Sequence, residues 1–159
     1  MADHRTPFPN ADERTTLVAF LDYLRDAIVR KVDGLPEDAA RRPMVDSGTS
    51  LLGLVKHLTM VEVAWFQWTF AGIDVPIPAV EFEDGDSIHA IVAGYRTACT
   101  ESNAIVAACT DLDQRAARAG TAPEPMSMRW LLVHMVEETA RHAGHADILR
   151  EQLDGEVGR

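Results

Sequence analysis

The stretch MRWLLVHMVEETARHAGHADILRE, residues 128–151, decides the fold class of this chain. Its apolar residues recur at intervals of three and four, which is the spacing of an amphipathic helix. Ser127 precedes the stretch as a helix N-cap and Gly155 follows it, so the pattern predicts a helix from Ser127 to about Leu153. Four polar side chains share one face of this helix, at offsets of 0, 4, 8 and 11 residues: His134, Glu138, His142 and His145.

Three further stretches carry the same helical spacing. They run from about Ala11 to Val32, from the Ser47–Ser50 cluster to Gly72, and from a cap at Asp86 or Ser87 to Cys109. The proline-containing segment Ile73–Gly85 is predicted to be a loop. Thr110–Pro125 is either a loop throughout or prolongs the third helix in its first part. Four amphipathic helices predict an all-α fold, a four-helix bundle, with one or more crossover connections left open.

The apolar positions of the first three helices predict their buried sides. They are Leu17, Phe20, Leu21, Leu24 and Ile28 in the first; Leu51, Leu54, Val55, Leu58, Val61, Trp65 and Phe66 in the second; Ile88, Ile91, Val92, Tyr95, Cys99, Ser102, Ile105, Val106 and Cys109 in the third. Trp65, Phe66, Trp68 and Phe70 spread around the end of the second helix. We interpret these aromatic residues as core plus a homodimer contact, and as an apolar wall for a substrate in the alternative.

Composition excludes several classes of function. The 159 residues predict one domain across 1–159, with its core at about 12–153. A formal charge of -10 has the wrong sign for binding nucleic acid, and no apolar run approaches the roughly 18 residues of a membrane span. The acidic, proline-broken start is unlike a leader segment, so we expect a cytoplasmic protein. Cys99 and Cys109, about 15 Å apart along one helix, are expected to be free thiols.

A mononuclear metal site is the chemistry that the residues favour. Glu138 and His142 lie one helical turn apart, close enough to reach one ion. A third ligand must come from another helix, and His57 is the remaining histidine placed in the middle of one. Each of these residues has a structural alternative: a hydrogen-bonded histidine in the core for His57, and a solvated helix face for the pair. His145 and Glu137 fit supporting or solvated roles, His134 also fits the surface, and His4 and His89 suggest no role.

Other site patterns are absent from the sequence. It contains no HExxH, no Glu-x-x-His, no CxxC, no P-loop, no GxGxxG and no Gly-x-Ser-x-Gly. Zincin, di-iron, nucleotide-binding and nucleophile-elbow chemistry are therefore not indicated.

Two segments resemble a known family. GTSLLGLVKHLTMVEVAWF followed by FAG, together with MRWLLVHMVEETARHAGHADILRE, is similar to the DinB-like (DinB/YfiT-like) superfamily of metal-binding four-helix bundles. The closer similarity is to its mycothiol-dependent branch, which includes the metal-binding domain of maleylpyruvate isomerase and the mycothiol S-transferases. The resemblance covers about residues 12 to 153. It implies His57, Glu138 and His142 as metal ligands, with Glu138 at a position where most of the superfamily has histidine and the isomerase has glutamate.

The resemblance implies a metal-dependent enzyme that activates a low-molecular-weight thiol, mycothiol. The thiol would be transferred to a small electrophile or would isomerise a double bond. Two imidazoles and a carboxylate suit zinc, with nickel, iron and manganese left open. His145, His134 and Tyr95 are candidates for orienting groups or for transferring protons. The isomerase has a second domain for which 159 residues leave no room, so we do not expect maleylpyruvate as the substrate.

Two other functions stay open at this point. The first is a non-catalytic metal- or ligand-binding bundle, either stress-related or a dimeric interaction protein. The second is a metal-dependent hydrolase, which needs a general base such as Glu62 or Glu137 beside the ion.

Overall fold

The computed structural model describes residue 7, residues 10–120 and residues 122–157, so that His4 lies outside the described residues. Helices are the regular secondary structure of these residues, and no strand is found among them, which confirms the predicted all-α class. The helices are α1 (Glu13–Arg30), α2 (Glu37–Arg41), α3 (Leu51–Glu62), α4 (Ile88–Ala108) and α5 (Met128–Asp154), and a π-helical segment, Val63–Phe70, continues α3. None of these helices is long and apolar enough to cross a lipid bilayer.

Short polar side chains begin the four long helices. The Asp12 carboxylate accepts the N–H of Thr15 at 3.0 Å and caps α1. Ser50, Ser87 and Ser127 cap α3, α4 and α5 in the same way, at 3.2, 3.1 and 3.2 Å. Each cap satisfies an N–H that has no partner within its helix and contributes about 1 kcal/mol. Gly155 ends α5 with a φ of 79°, a left-handed conformation that glycine adopts without strain.

The packing of the helices brings α3 and α5 together. α1 lies along α5 and α3 lies along α4, and α3 also meets α5. Two clusters of buried apolar side chains form the core, one around Phe66 and Met135 and the other around Leu58 and Leu149. Glu138 lies in the chain between Met135 of the first cluster and Ala143 of the second, whereas His57 lies beside Leu58 of the second. The seam between α3 and α5 therefore carries these two polar residues among buried apolar side chains.

The predicted buried stripe of α1 is wrong at one position. Leu21 and Ile28 are fully buried and Leu17 and Leu24 pack against the core, but Phe20 is 38% exposed. Phe20 precedes Leu21 by one residue, which rotates it about 100° around the helix, away from the buried line. The apolar side chain of Phe20 therefore did not indicate burial.

Two local features differ from the predicted helices. The second predicted helix is not α-helical to Gly72: its last turns are the π-helical segment, in which the Ala71 N–H reaches the carbonyl of Phe66 at 2.9 Å. The short helix α2 was not predicted, because its five residues are too few for a periodic pattern.

The described residues of the connection between α4 and α5 form a loop. α4 ends at Ala108, so Thr110 does not prolong it. The Ala117 N–H donates to the carbonyl of Phe70 at 2.9 Å, and the Met128 N–H donates to that of Gln114 at 3.1 Å. These bonds fasten the loop to the π-helical segment and to the start of α5.

The two cysteines form no disulfide, as predicted. Cys99 and Cys109 are free thiols, and Cys109 is buried. Burial, with a further contribution from the Glu62 carboxylate, raises the pKa of Cys99 to about 12. The Cys99 thiol is therefore protonated at neutral pH.

Candidate metal centre

Three side chains from α3 and α5 converge on one point. His57 Nε2 lies 3.2 Å from Glu138 Oε1, and His142 Nε2 lies 3.0 Å from the same oxygen. No two of the three donor atoms are more than 4.8 Å apart. The imidazole rings of His57 and His142 meet edge to face with 4.7 Å between their centroids. The structure thus brings together the three residues that the sequence predicted as ligands.

Helix geometry explains the convergence. Glu138 and His142 are one turn apart on α5, so their side chains leave the same face of that helix. His57 lies in the middle of α3, whose N-cap is Ser50, and it faces α5 across the seam. The carboxylate and the second imidazole are largely buried, at 13% and 15% exposure, whereas His57 is 34% exposed. The site is therefore open on the side of His57.

The protonation states of two of these groups suit metal binding. Burial lowers the pKa of His142, although the neighbouring carboxylate acts in the opposite direction. Burial raises the pKa of Glu138, but hydrogen bonds from His57 and His142 and the charge of Arg141 lower it by more. A neutral imidazole and an ionised carboxylate are the forms that bind a metal ion.

The donor set fits a divalent ion. Tetrahedral zinc with bonds of about 2.0–2.1 Å holds neighbouring ligand atoms about 3.4 Å apart. The two hydrogen-bonded pairs at 3.2 and 3.0 Å are within a few tenths of an ångström of that spacing. Among the described residues, Nδ1 of His142 is buried without a hydrogen-bond partner. The orientation of that ring thus rests on Nε2 and on its packing against His57 and His145.

Arg141 contacts a candidate ligand and was not among the residues that the sequence indicated. Its guanidinium donates to Glu138 Oε2 at 3.2 Å and also pairs with Glu137. The carboxylate of Glu138 is therefore held from both sides, with Oε1 toward the histidines and Oε2 toward Arg141. The spacing of three residues between Glu138 and Arg141 was the available signal.

The other candidate histidines flank the site along α5. The His145 ring lies 5.5 Å from that of His142, centroid to centroid. His134 stacks on Trp130 at 5.0 Å and meets Trp65 at 4.7 Å, and the two indoles are 5.9 Å apart. We call Trp65, Trp130 and His134 the aromatic cluster. His134 therefore contacts indoles, whereas His145 contacts a candidate ligand.

Tyr95 and Glu62 lie in a different part of the bundle. Tyr95 is buried on α4, where it lines a cavity of about 290 Å³ with Arg25 and Cys99. Glu62 is fully buried and forms a two-point ion pair with Arg25, at 2.8 and 2.7 Å. The guanidinium also binds Asp22 at 2.8 Å and Asn103 at 2.7 Å. The carboxylate of Glu62 is thus occupied by Arg25, and that of Glu137 is exposed and paired with Arg141.

The aromatic residues after α3 divide into two groups. Phe66 and Phe70 are buried in the core, whereas Trp65 and Trp68 are partly exposed. Trp65 belongs to the aromatic cluster, and Trp68 lies under the guanidinium of Arg118 at 4.5 Å. The homodimer contact that we assigned to these residues stays a prediction.

Comparison with known proteins identifies the family. A search among curated proteins found no match to this chain. The model of the mycothiol-S-transferase family matches residues 16–155, a range that includes His57, Glu138 and His142. This match confirms the resemblance to the mycothiol-dependent branch. The chain belongs to the mycothiol-S-transferase family.

Proposed function

We propose that this protein is a metal-dependent transferase that joins a low-molecular-weight thiol, mycothiol, to a small electrophile. The observation that carries the proposal is the convergence of His57 Nε2, Glu138 Oε1 and His142 Nε2 within 4.8 Å in a chain of the mycothiol-S-transferase family. Two imidazoles and one carboxylate supply three protein ligands and leave a position for an exchangeable ligand, as catalytic zinc sites do. Zinc is the metal we propose.

Each residue has a defined task in this proposal. His57 and His142 would hold the ion through Nε2, and Glu138 would hold it through Oε1. A bound divalent ion would favour the thiolate form of a thiol near neutral pH. Arg141 keeps Oε2 of Glu138 occupied, so that Oε1 stays directed at the two imidazoles. The partial exposure of His57 leaves the site accessible to small molecules.

The transfer conserves atoms and charge. The thiol gives its proton to solvent, and its sulfur forms a bond to an electrophilic carbon. The leaving group departs with the electron pair of the bond that breaks. The protein's own cysteines take no part, because Cys109 is buried and the high pKa of Cys99 keeps its thiol protonated.

The test combines metal analysis with a thiol-transfer assay on the full chain. We expect the purified protein to hold about one equivalent of zinc by elemental analysis. With mycothiol and monochlorobimane it should form the fluorescent conjugate faster than the uncatalysed reaction. Removing the metal with a chelator should abolish this acceleration, and adding zinc should restore it. Nickel, iron and manganese, added singly, identify the metal that restores the activity best.

Matched histidine variants provide the control. His142→Ala should lose both metal and activity. His89→Ala removes an exposed histidine from the first turn of α4 and should retain both. A protein that binds metal through these residues but does not accelerate conjugation would contradict the transferase proposal and would support a non-catalytic metal-binding bundle. A protein that binds no metal would refute the site itself.

A further inference from the structure

A small cleft opens beside the candidate metal centre. It has a volume of about 290 Å³ and lies between the segment before α3 and the last third of α5. Its lining is aliphatic apart from two hydroxyl groups and one imidazole: Val45, Ser47, Thr49, His145, Ile148 and Leu149. No charged side chain is among these six residues, in a protein with a formal charge of -10.

The wall of the cleft before α3 is a tight turn. The Met44 N–H donates to the carbonyl of Thr49 at 3.0 Å, and the Gly48 N–H donates to that of Val45 at 2.9 Å. Gly48 has a φ of 84°, in the left-handed region that glycine adopts without strain. The hydroxyl groups of Ser47 and Thr49 are 3.0 Å apart and hydrogen-bond to each other. These contacts shape the wall of the cleft.

The cleft adjoins the metal centre through His145. This imidazole lines the cleft, and its ring centroid lies 5.5 Å from that of His142. A molecule in the cleft therefore sits one side chain away from a candidate ligand. The sequence suggested His145 as an orienting or proton-transferring group, and its position in the lining of the cleft favours the orienting role.

We propose that this cleft is the acceptor subsite, and that it binds a small, uncharged, largely apolar electrophile. This inference rests on the function proposed above. Ligand sites are concave and mostly apolar, with a few polar groups that fix the orientation of the ligand, and their volumes are about 300–1,000 Å³. The volume of this cleft, about 290 Å³, is near the lower end of that range and therefore selects a small acceptor. Val45, Ile148 and Leu149 would contact the apolar body of the acceptor. Ser47, Thr49 and His145 would orient its polar atom.

The acceptor's reactive carbon would then extend from the cleft past the edge of the His145 ring, to direct contact with the sulfur of the thiolate. The sulfur of the thiolate forms the new S–C bond, and the leaving group takes the electrons of the broken bond into solvent. His145 would contact the acceptor directly, since it lines the cleft, and it is not one of the three candidate ligands.

Two tryptophan variants on α5 test the assignment. Ile148→Trp places an indole at the rim of the cleft and narrows it. Val133→Trp is the matched control, because Val133 is 53% exposed, compared with 57% for Ile148, and does not line the cleft. With the zinc-loaded chain we expect Ile148→Trp to raise the KM for monochlorobimane about tenfold. The KM for mycothiol and the bound zinc should stay at wild-type values, and Val133→Trp should change none of the three.

Failure of this inference and failure of the proposed function give different results. If wild-type protein turns over and Ile148→Trp has the same KM for monochlorobimane as Val133→Trp, the cleft is not the acceptor subsite. If the wild-type protein does not convert monochlorobimane, the proposed function fails. Binding to the cleft is then tested by saturation-transfer NMR with tetramethylbimane, an analogue that has no leaving group. Binding to wild type and to Val133→Trp but not to Ile148→Trp supports the cleft, and equal or absent binding overturns it.

Discussion

The buried ion pair between Arg25 and Glu62 offers a quantitative test of the fold. Arg25 is 4% exposed and Glu62 is fully buried, so neither charge is solvated. Removing one partner of such a pair costs about 3–5 kcal/mol, because the remaining charge stays buried. Asp22 still contacts the guanidinium at 2.8 Å and compensates part of its charge. We therefore expect Glu62→Gln to lower the free energy of unfolding by about 3 kcal/mol, the lower end of that range.

Urea denaturation followed by far-UV circular dichroism measures this change. A loss of about 3 kcal/mol is a change of roughly 150-fold in the folding equilibrium constant, and it lowers Tm by about 6–12 °C for a chain of this size. The double variant Arg25→Met with Glu62→Leu removes both charges and should lose far less stability than the single variant, because an apolar replacement of a buried pair is often close to neutral.

Two results would refute this reasoning. One is a loss of less than about 1 kcal/mol in Glu62→Gln, which is the size expected for an exposed pair. The other is a double variant whose loss equals the sum of the losses of Arg25→Met and Glu62→Leu made singly, since a pair that interacts cannot be additive.

Three further predictions concern stability and reactivity. Among the described residues, Thr139 Oγ1 is buried without a hydrogen-bond partner, so Thr139→Val should stabilise the protein by about 1 kcal/mol and raise Tm by about 2–4 °C in calorimetry. Cys99, with a pKa of about 12, has roughly one molecule in ten thousand as thiolate at pH 8, so mass spectrometry should show almost no iodoacetamide labelling in the native protein and full labelling in urea. A hydrogen bond from Lys56 lowers the pKa of Asp86 in the folded protein. The pair therefore stabilises the fold at pH values above the pKa of an unfolded aspartate, about 3.9, and this stabilisation is lost as the pH falls through the lower pKa of the folded state. Asp86→Asn should therefore be less stable than wild type at pH 7, and the difference in denaturation midpoint should vanish in acid; a constant difference at all pH values would contradict it.

The sequence predicted the features that depend on local periodicity, namely where the long helices begin and which residues share a helix face. Ser127 caps α5 as the pattern indicated, and Ser50 and Ser87 are the caps among the candidates that the pattern left open. The face shared by Glu138 and His142 follows from a spacing of four. The partner of that face was less certain, because nothing local in the sequence specifies which side of α3 meets α5. His57 was the candidate as the remaining histidine in the middle of a helix, and the family resemblance implied the same residue; the structure places its Nε2 3.2 Å from Glu138 Oε1.

Features that depend on long-range contacts could not be predicted in this way. Arg25 and Glu62 are 37 positions apart, and a helix face that carries an arginine looks solvated when taken alone. The acceptor cleft likewise joins a turn before α3 to the end of α5, about a hundred residues later in the chain. The π-helical segment could not be distinguished from an α-helix by its sequence. Phe66 and Phe70 are buried, and a burial pattern of this kind is compatible with either conformation.

The polar residues of α3 divide between two sides of the helix, and this division supports the geometry of the candidate metal centre. His57 and Glu62 are five residues apart, which places them about 140° apart around the helix axis. Glu62 points at Arg25 of α1, whereas His57 points at Glu138 of α5. Since Glu62 cannot leave its partner without exposing an uncompensated buried charge, the rotation of α3 about its axis is restrained. The same restraint holds the imidazole of His57 toward the seam, so the buried pair on one side of α3 supports the geometry of the site on the other.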